Sequence, residues 1–271
     1  MQLAEHGSQV WAAPRPQLRR AHQKAVLALA RLGDTRALPS LLVALDSGVD
    51  ALLAIQVAGA LPQAAEQLVP RLCDHLRRVD LADQWQETSA NANLHALAKL
   101  GDPTALTAIT EALAAAARHE RWSPVCSALE ALGALGPAAA PALDAIRSLS
   151  TVEKFWVRPT AVAALWAVSG DREEVMPLLL DLLNGYAAQA AADVLGQIGP
   201  SAAAALPRLR HLLTDKYEWV RVHCAAALWE VGGEPEAPAV VDTLLQAWTE
   251  NSATGNQVVA CLTRMIEACA D

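Results

Sequence analysis

A chain of 271 residues, 53% hydrophobic and rich in Ala and Leu, with 11 aromatic residues of which 8 are Trp, suits closely stacked helices and gives little reason to expect a β-sheet. Its formal charge of −8 argues against a general nucleic-acid binder, though not against a local basic patch. Five cysteines (Cys73, Cys126, Cys224, Cys261, Cys269) show no CxxC spacing and read as reduced, packed thiols; no apolar run reaches the length of a membrane span and the N-terminus lacks a signal-peptide core, so a cytoplasmic protein without a membrane role is expected.

In chain order, residues 1–16 end in Ala-Ala-Pro-Arg-Pro and read as a leader, with Trp11 as an anchor. Residues 17–271 then read as seven helical hairpins, at about 17–46, 49–78, 84–118, 123–150, 156–183, 186–213 and 218–248, and a helix over 254–270 that caps the last one. The connection over 78–90, RVDLADQWQETSA, departs furthest from the period and reads as a long loop, the kind of insertion that carries function in arrays.

The hairpin is clearest at 156–183. Ala161, Ala164, Leu165 and Val168 form one apolar stripe at helical spacing; Ser169-Gly170-Asp171 breaks the helix; Val175, Leu178, Leu179 and Leu182 form the stripe of a second helix. Glycine ends the first helix in a left-handed conformation and aspartate caps the next. The turn recurs at Gly33-Asp34, Gly101-Asp102, Gly136-Pro137, Gly199-Pro200 and Gly232-Gly233, with a degenerate Leu61-Pro62 between the first two. Four residues before the turns stand Leu29, Val57, Leu97, Leu132, Leu165, Leu195 and Leu228. Six steps from residue 33 to residue 232 give about 33 residues per step, the length of helical-hairpin repeats.

The pattern W-V-R-x-x-A-x-A-L-W-x-V-S-G-D at 156–171, echoed by WVRVHCAAALWEVGGEPE at 219–236, resembles HEAT repeats, most of all the short bacterial HEAT-like, PBS-lyase-type repeat. The resemblance implies an all-α fold: a right-handed α-solenoid whose second helices line the concave face. It is nearly silent on function, because such repeats serve scaffolds, adaptors and some enzymes alike.

The enzymatic relatives set specific tests. Deoxyhypusine hydroxylases bind iron through His-Glu pairs on several hairpins. Here the one such pair, His119-Glu120, falls in a loop, and the family position holds His223-Cys224, so no metal site is expected. The HEAT-like alkylpurine DNA glycosylases grip DNA in a basic groove, whereas the signs here alternate along the second helices. No GxSxG, Gly-rich phosphate loop or zinc spacing is present, and Glu173-Glu174 sit in a helix's first turn, complementing its dipole. No catalytic residue, cofactor or metal ligand is therefore assigned.

What remains is a binding surface. The favoured reading is a non-catalytic scaffold or adaptor that holds a protein or peptide on the concave face. Its candidate residues are Arg71, His75, Arg78, Glu111, Arg147, Asp181, Arg210, His211 and Asp242, alternating charges suited to a matched protein segment. The alternative surface is an aromatic edge, Trp85, Trp122, Trp156, Tyr186 and Trp219, where one hairpin passes to the next; packing of each ring under its loop as a helix-start staple is the plainer expectation. Trp166 and Trp229 share a position held elsewhere by Ala30, Ala98, Gly133 and Gly196, and are expected at the surface or a repeat junction. Residues 11–36 carry a net +5 and 230–271 a net −6, which would permit head-to-tail self-association, although ordinary solvated helix faces are the plainer expectation. The alternative functions are a HEAT-like enzyme, glycosylase-like or lyase-like, and a regulatory module of a larger protein.

Overall fold

The computed structural model of the chain describes residues 16–154 and 156–270, so Trp11 and the rest of the expected leader before Pro16 lie outside the described residues. The fold is all-α, a solenoid of seven helical hairpins and a terminal helix, with no strand among the described residues. The first helices of the hairpins are α1 (Pro16–Arg31), α3 (Ala51–Ala58), α5 (Glu87–Leu100), α7 (Trp122–Leu135), α9 (Val157–Ser169), α11 (Ala188–Ile198) and α13 (Glu218–Gly232). Their partners are α2 (Leu38–Ser47), α4 (Ala65–Arg78), α6 (Leu106–Arg118), α8 (Leu143–Ser150), α10 (Arg172–Leu182), α12 (Leu206–Leu212) and α14 (Ala237–Glu250), and α15 (Gly255–Ala270) follows the last hairpin. Contacts gather the chain into two compact units, Met1–Ser148 with Ala167–Ser169, and Leu149–Trp166 with Gly170–Asp271.

Two turn chemistries close five of the seven hairpins. At Gly33, Gly101 and Gly170 the glycine takes φ of +73°, +62° and +61°, and the following aspartate caps the next helical turn. Asp34, Asp102 and Asp171 each accept a backbone N–H two residues on, at 2.9 Å. Gly136 and Gly199 instead combine φ of +58° and +68° with ψ of −139° and −145°, a region essentially reserved for glycine. Proline follows both and disfavours the α region for the residue before it. No side chain caps these turns; a seven-residue 3-10 stretch follows each, Gly136–Ala142 and Gly199–Ala205, and leaves α8 and α12 short. The Leu61-Pro62 turn has no left-handed residue: Leu61 sits at φ −120° before a 3-10 turn over Pro62–Ala64.

The registered apolar positions form the core. Val57, Leu97, Leu132, Leu165, Leu195 and Leu228 are buried, as are Val175, Leu179 and Leu182 on the facing stripe of α10, where Leu183 is buried and Leu178 only half so. Leu29 is half-buried and Leu32 exposed, because among the described residues no hairpin stands ahead of α1 to cover that side. Small residues allow odd-numbered helices to approach closely: a Cβ at Gly59, which ends α3, would lie 2.9 Å from Lys99 Cβ and 3.3 Å from Ala96 Cα of α5.

Two expectations are corrected here. Residues 122–150 are, by length and composition, apolar enough to cross a membrane, but they fold as α7, a 3-10 turn and α8, with half of the most apolar window buried. The connection after α4 is short: Val79–Asp83 turn directly into a 3-10 segment, Gln84–Gln86, and α5 begins at Glu87. Burial pushes the Cys73 and Cys261 thiols up and the Cys224 thiol up to about 12, which makes these interior thiols inert at neutral pH.

Candidate partner-binding surfaces

The charges expected on the even-numbered helices are present, but most are engaged by the array itself. Arg71 of α4 forks onto Asp46 of α2, Nε to Oδ1 at 2.6 Å and Nη2 to Oδ2 at 3.1 Å, and His75 Nε2 lies 2.7 Å from the Leu45 carbonyl. The Arg71 guanidinium holds the Asp46 carboxyl below its usual range. Glu111 of α6 accepts from Arg77 of α4 at 3.2 Å, and Arg210 of α12 pairs with Glu236 at the start of α14 through Nε at 3.1 Å and through Nη2. The Glu236 carboxyl is lowered by that hydrogen bond. Arg147 meets Asp144 at 3.2 Å one turn away, and Asp181 meets Arg158 at 2.6 Å. Three of the nine candidates, Arg78, His211 and Asp242, remain exposed and outside these pairs. The alternating pattern was legible, but its neighbours one hairpin away were not, because the pairing spans 25 to 34 residues of sequence.

The aromatic candidates behave in the opposite way. Trp85 is 83% exposed. Its loop is nonetheless heavily tied: Arg121 donates to the Leu81 carbonyl at 3.2 Å and the Ala82 carbonyl at 2.7 Å, Asp83 accepts from Trp85 N at 3.0 Å, Gln86 accepts from Asp80 N at 3.0 Å, and Leu81 is buried beneath. Trp156, at the start of α9, is 55% exposed and Tyr186, ahead of α11, 59%. Trp85 is thus not packed under its loop, and Trp156 and Tyr186 keep more than half of their surface in water. Trp122 opens α7 half-buried, and Trp219 on α13 is half-buried with its ring 6.4 Å from that of His223. Sequence reading missed Tyr217, 58% exposed at the start of α13 with Lys216 Nζ 4.7 Å above its ring, because it stands two residues out of the tryptophan register. Trp229 is 7% exposed, so the surface is excluded for it, whereas Trp166 is half-buried.

Grooves also run along the odd-numbered helices, a feature with no clear sequence signal beyond their small residues. In the first unit a groove of 340 Å³ lies over Gln56, Gly59, Asn91, His95 and Lys99; Asn91 donates to Ser123 Oγ at 2.9 Å. In the second unit two grooves, of 420 and 370 Å³, share Asp193, Ala226 and Arg264. His223 faces Asp193 at 2.6 Å and Arg264 faces Glu230 at 2.9 Å across them. Among the described residues no group of three His, Cys, Asp or Glu could hold a metal ion. His119-Glu120 lies just beyond α6, with Glu120 at φ +53°.

Residues 177–263 match a family model described as HEAT repeats, and residues 23–47 one described as the PBS lyase HEAT-like repeat. No curated protein matches the chain. Among solved structures, the complex of CpcE and CpcF of phycocyanin lyase from Nostoc sp. PCC7120 is 22% identical, with a TM-score of 0.58 over 90% of this chain and 94% of the other. Human deoxyhypusine hydroxylase in complex with glycerol is 20% identical, with a TM-score of 0.38 over 98% and 96% of the two chains. An engineered protein is 16% identical, with a TM-score of 0.47 over 99% of this chain and 78% of its own.

Proposed function

The chain is a HEAT-repeat protein, and from that premise we propose that it is a non-catalytic scaffold or adaptor that binds a protein or peptide through the aromatic starts of its odd-numbered helices. The observation that carries this is Trp85, most of whose ring is in water although its loop is fixed by hydrogen bonds. An aromatic presented on a fixed backbone leaves less backbone to order when a partner covers it, and aromatic residues contribute a large share of interface energies. The even-numbered face supports the reading by contrast: Arg71, Arg147 and Arg210 are already matched, so a partner there must compete with Asp46, Asp144 and Glu236. That the phycocyanin lyase neighbour is itself a two-chain complex also supports a protein partner.

The test is site-specific photo-crosslinking in the native cell. A crosslinking side chain at Trp85 should capture a discrete partner, and one at Arg78 or Asp242 should not. Capture confined to Arg78 and Asp242 would return the site to the charged face. The second reading, a lyase-like enzyme, draws on the PBS lyase HEAT-like match at 23–47 and would be recognised by turnover in a phycocyanin lyase assay.

A further inference from the structure

Two surfaces carry apolar stripes that the chain leaves largely in water. The first belongs to α14 and α15, both in the unit of Leu149–Trp166 and Gly170–Asp271. On α15, Val258, Cys261 and Met265 turn inward and are buried. Val259, Leu262 and Ile266, spaced i, i+3 and i+7, share another face, where Leu262 is half-buried and Val259 and Ile266 are exposed. On α14, Val241, Leu245 and Trp248 repeat the arrangement at i, i+4 and i+7, with Val241 half-buried and Leu245 and Trp248 exposed. The two stripes adjoin. Gly255 stands four residues before Val259 on the same face of α15, and a Cβ there would lie 2.9 Å from Trp248 Nε1.

The second surface belongs to α1, in the other unit. Val26 and Ala30 turn inward and are buried. Ala21, Ala25, Leu29 and Leu32, spaced i, i+4, i+8 and i+11, follow another side, with Ala25 and Leu29 half-buried and Ala21 and Leu32 exposed. Leu32 continues the helical turn, since its N–H donates to the Ala28 carbonyl at 3.2 Å. Charge separates the two surfaces. Residues 11–36 carry a net +5, with Lys24 and Arg31 exposed on α1. Residues 230–271 carry a net −6, with Asp242 exposed on α14 and Glu267 on α15. Like charges therefore oppose the meeting of either surface with its own copy, and opposite charges favour the meeting of one with the other.

We propose that the occupant of the α14–α15 surface is α1 of a second copy of this chain, so that copies associate head to tail. Leu29 and Leu32 supply apolar contact to Val259 and Ile266, Ala21 and Ala25 let the helices approach closely, and the basic stretch meets the acidic one. Each partner uses a different surface, so the contact is heterologous: an open assembly keeps one free surface of each kind, and copies add until a ring closes. The inference is independent of the partner read at Trp85.

The test is sedimentation velocity on the full chain over a range of concentrations, with one lesion on each surface. Leu32 is 83% exposed and Ile266 71%, so Leu32→Glu and Ile266→Lys, which place a repelling charge on each surface, should leave the fold intact; circular dichroism checks this, and Val259→Lys serves if Ile266→Lys folds poorly. The parent should form species larger than a dimer as concentration rises, and association should weaken from about 0.1 M to about 1 M salt as the screening length shortens. Each variant alone should raise the association Kd at least about tenfold. An equimolar mixture of the two, which retains one intact surface of each kind, should form a 1:1 dimer and nothing larger. A parent that stays monomeric up to about 1 mM overturns the proposal. So does association untouched by either lesion, which places the contact elsewhere, or association indifferent to salt. Dimers that survive Leu32→Glu and vanish with Ile266→Lys would show the α14–α15 surfaces pairing with each other, and overturn the head-to-tail arrangement.

Discussion

On the even-numbered helices Arg71 and Arg210 reach one hairpin away to Asp46 and Glu236, whereas at the starts of the odd-numbered helices Trp85, Trp156 and Tyr186 stand more than half in water. The difference follows from place within the repeat. A side chain on the flank of a helix meets the same flank of the neighbouring hairpin, so opposite charges there find each other. A ring at a helix start lies at the rim of the layer where helices touch, and these three keep more than half of their surface in water. Residue type alone therefore misleads: arginine, a common interface residue, serves the array internally, and tryptophan, a common core residue, faces outward.

The strongest way to break this comparison is to remove two tryptophans from the two environments. Trp229→Ala should lower unfolding free energy by about 3–5 kcal/mol in denaturant titration, and Trp85→Ala should change it by no more than about 0.5 kcal/mol. Similar losses at both sites would mean that Trp85 packs in solution. Next in size is Arg221, which is buried, donates to the Asp215 carbonyl at 2.8 Å and pairs with Glu250. Its replacement by Ala should cost about 1–3 kcal/mol, because the Asp215 carbonyl and the Glu250 carboxylate lose a charged donor.

Arg71→Ala and Arg147→Ala, whose pairs are exposed, should each cost below about 1 kcal/mol and lose even that in high salt. The smallest effect concerns acid. The Asp46 and Glu236 carboxyls titrate lower in the folded chain than in the unfolded one, held down by Arg71 and Arg210. Their contribution is present above the unfolded carboxyl range, about pH 4, and is lost as pH falls through the folded values. The melting temperature of the parent should fall more between about pH 5 and 3 than that of a chain carrying both Arg71→Ala and Arg210→Ala; equal falls would show the pairs to be idle.

The repeat architecture was legible because each hairpin restates the same constraints: a stripe with Leu97, Leu132 or Leu165 at its centre, a glycine that ends the helix and an aspartate that starts the next. The surface was legible only as a set of candidates. Nothing in the spacing of Arg71 says that Asp46 stands beside it, since hairpin stacking and not helix period brings them together. Trp85 was singled out for falling out of register and its side chain is exposed, and Tyr217 escaped for the same irregularity. The exposure of Trp156 and Tyr186 was not legible, because a buried staple and an exposed ring have the same sequence signature until the neighbouring loop is placed.

The long 3-10 stretches at Gly136–Ala142 and Gly199–Ala205 have a consequence for how such a chain grows. They begin 63 residues apart, and so stand Arg147 and Arg210, Trp156 and Trp219, and Trp166 and Trp229. Over 123–248 the chain thus counts in pairs: a hairpin with an uncapped Gly-Pro turn and a short second helix, then one with a longer second helix. Residues 123–185 and 186–248 read as two copies of one block, the mark of a tandem duplication. Because each hairpin in an array depends on its nearest neighbours, gaining or losing a whole block repeats junctions already present, whereas a single-hairpin change creates a new one.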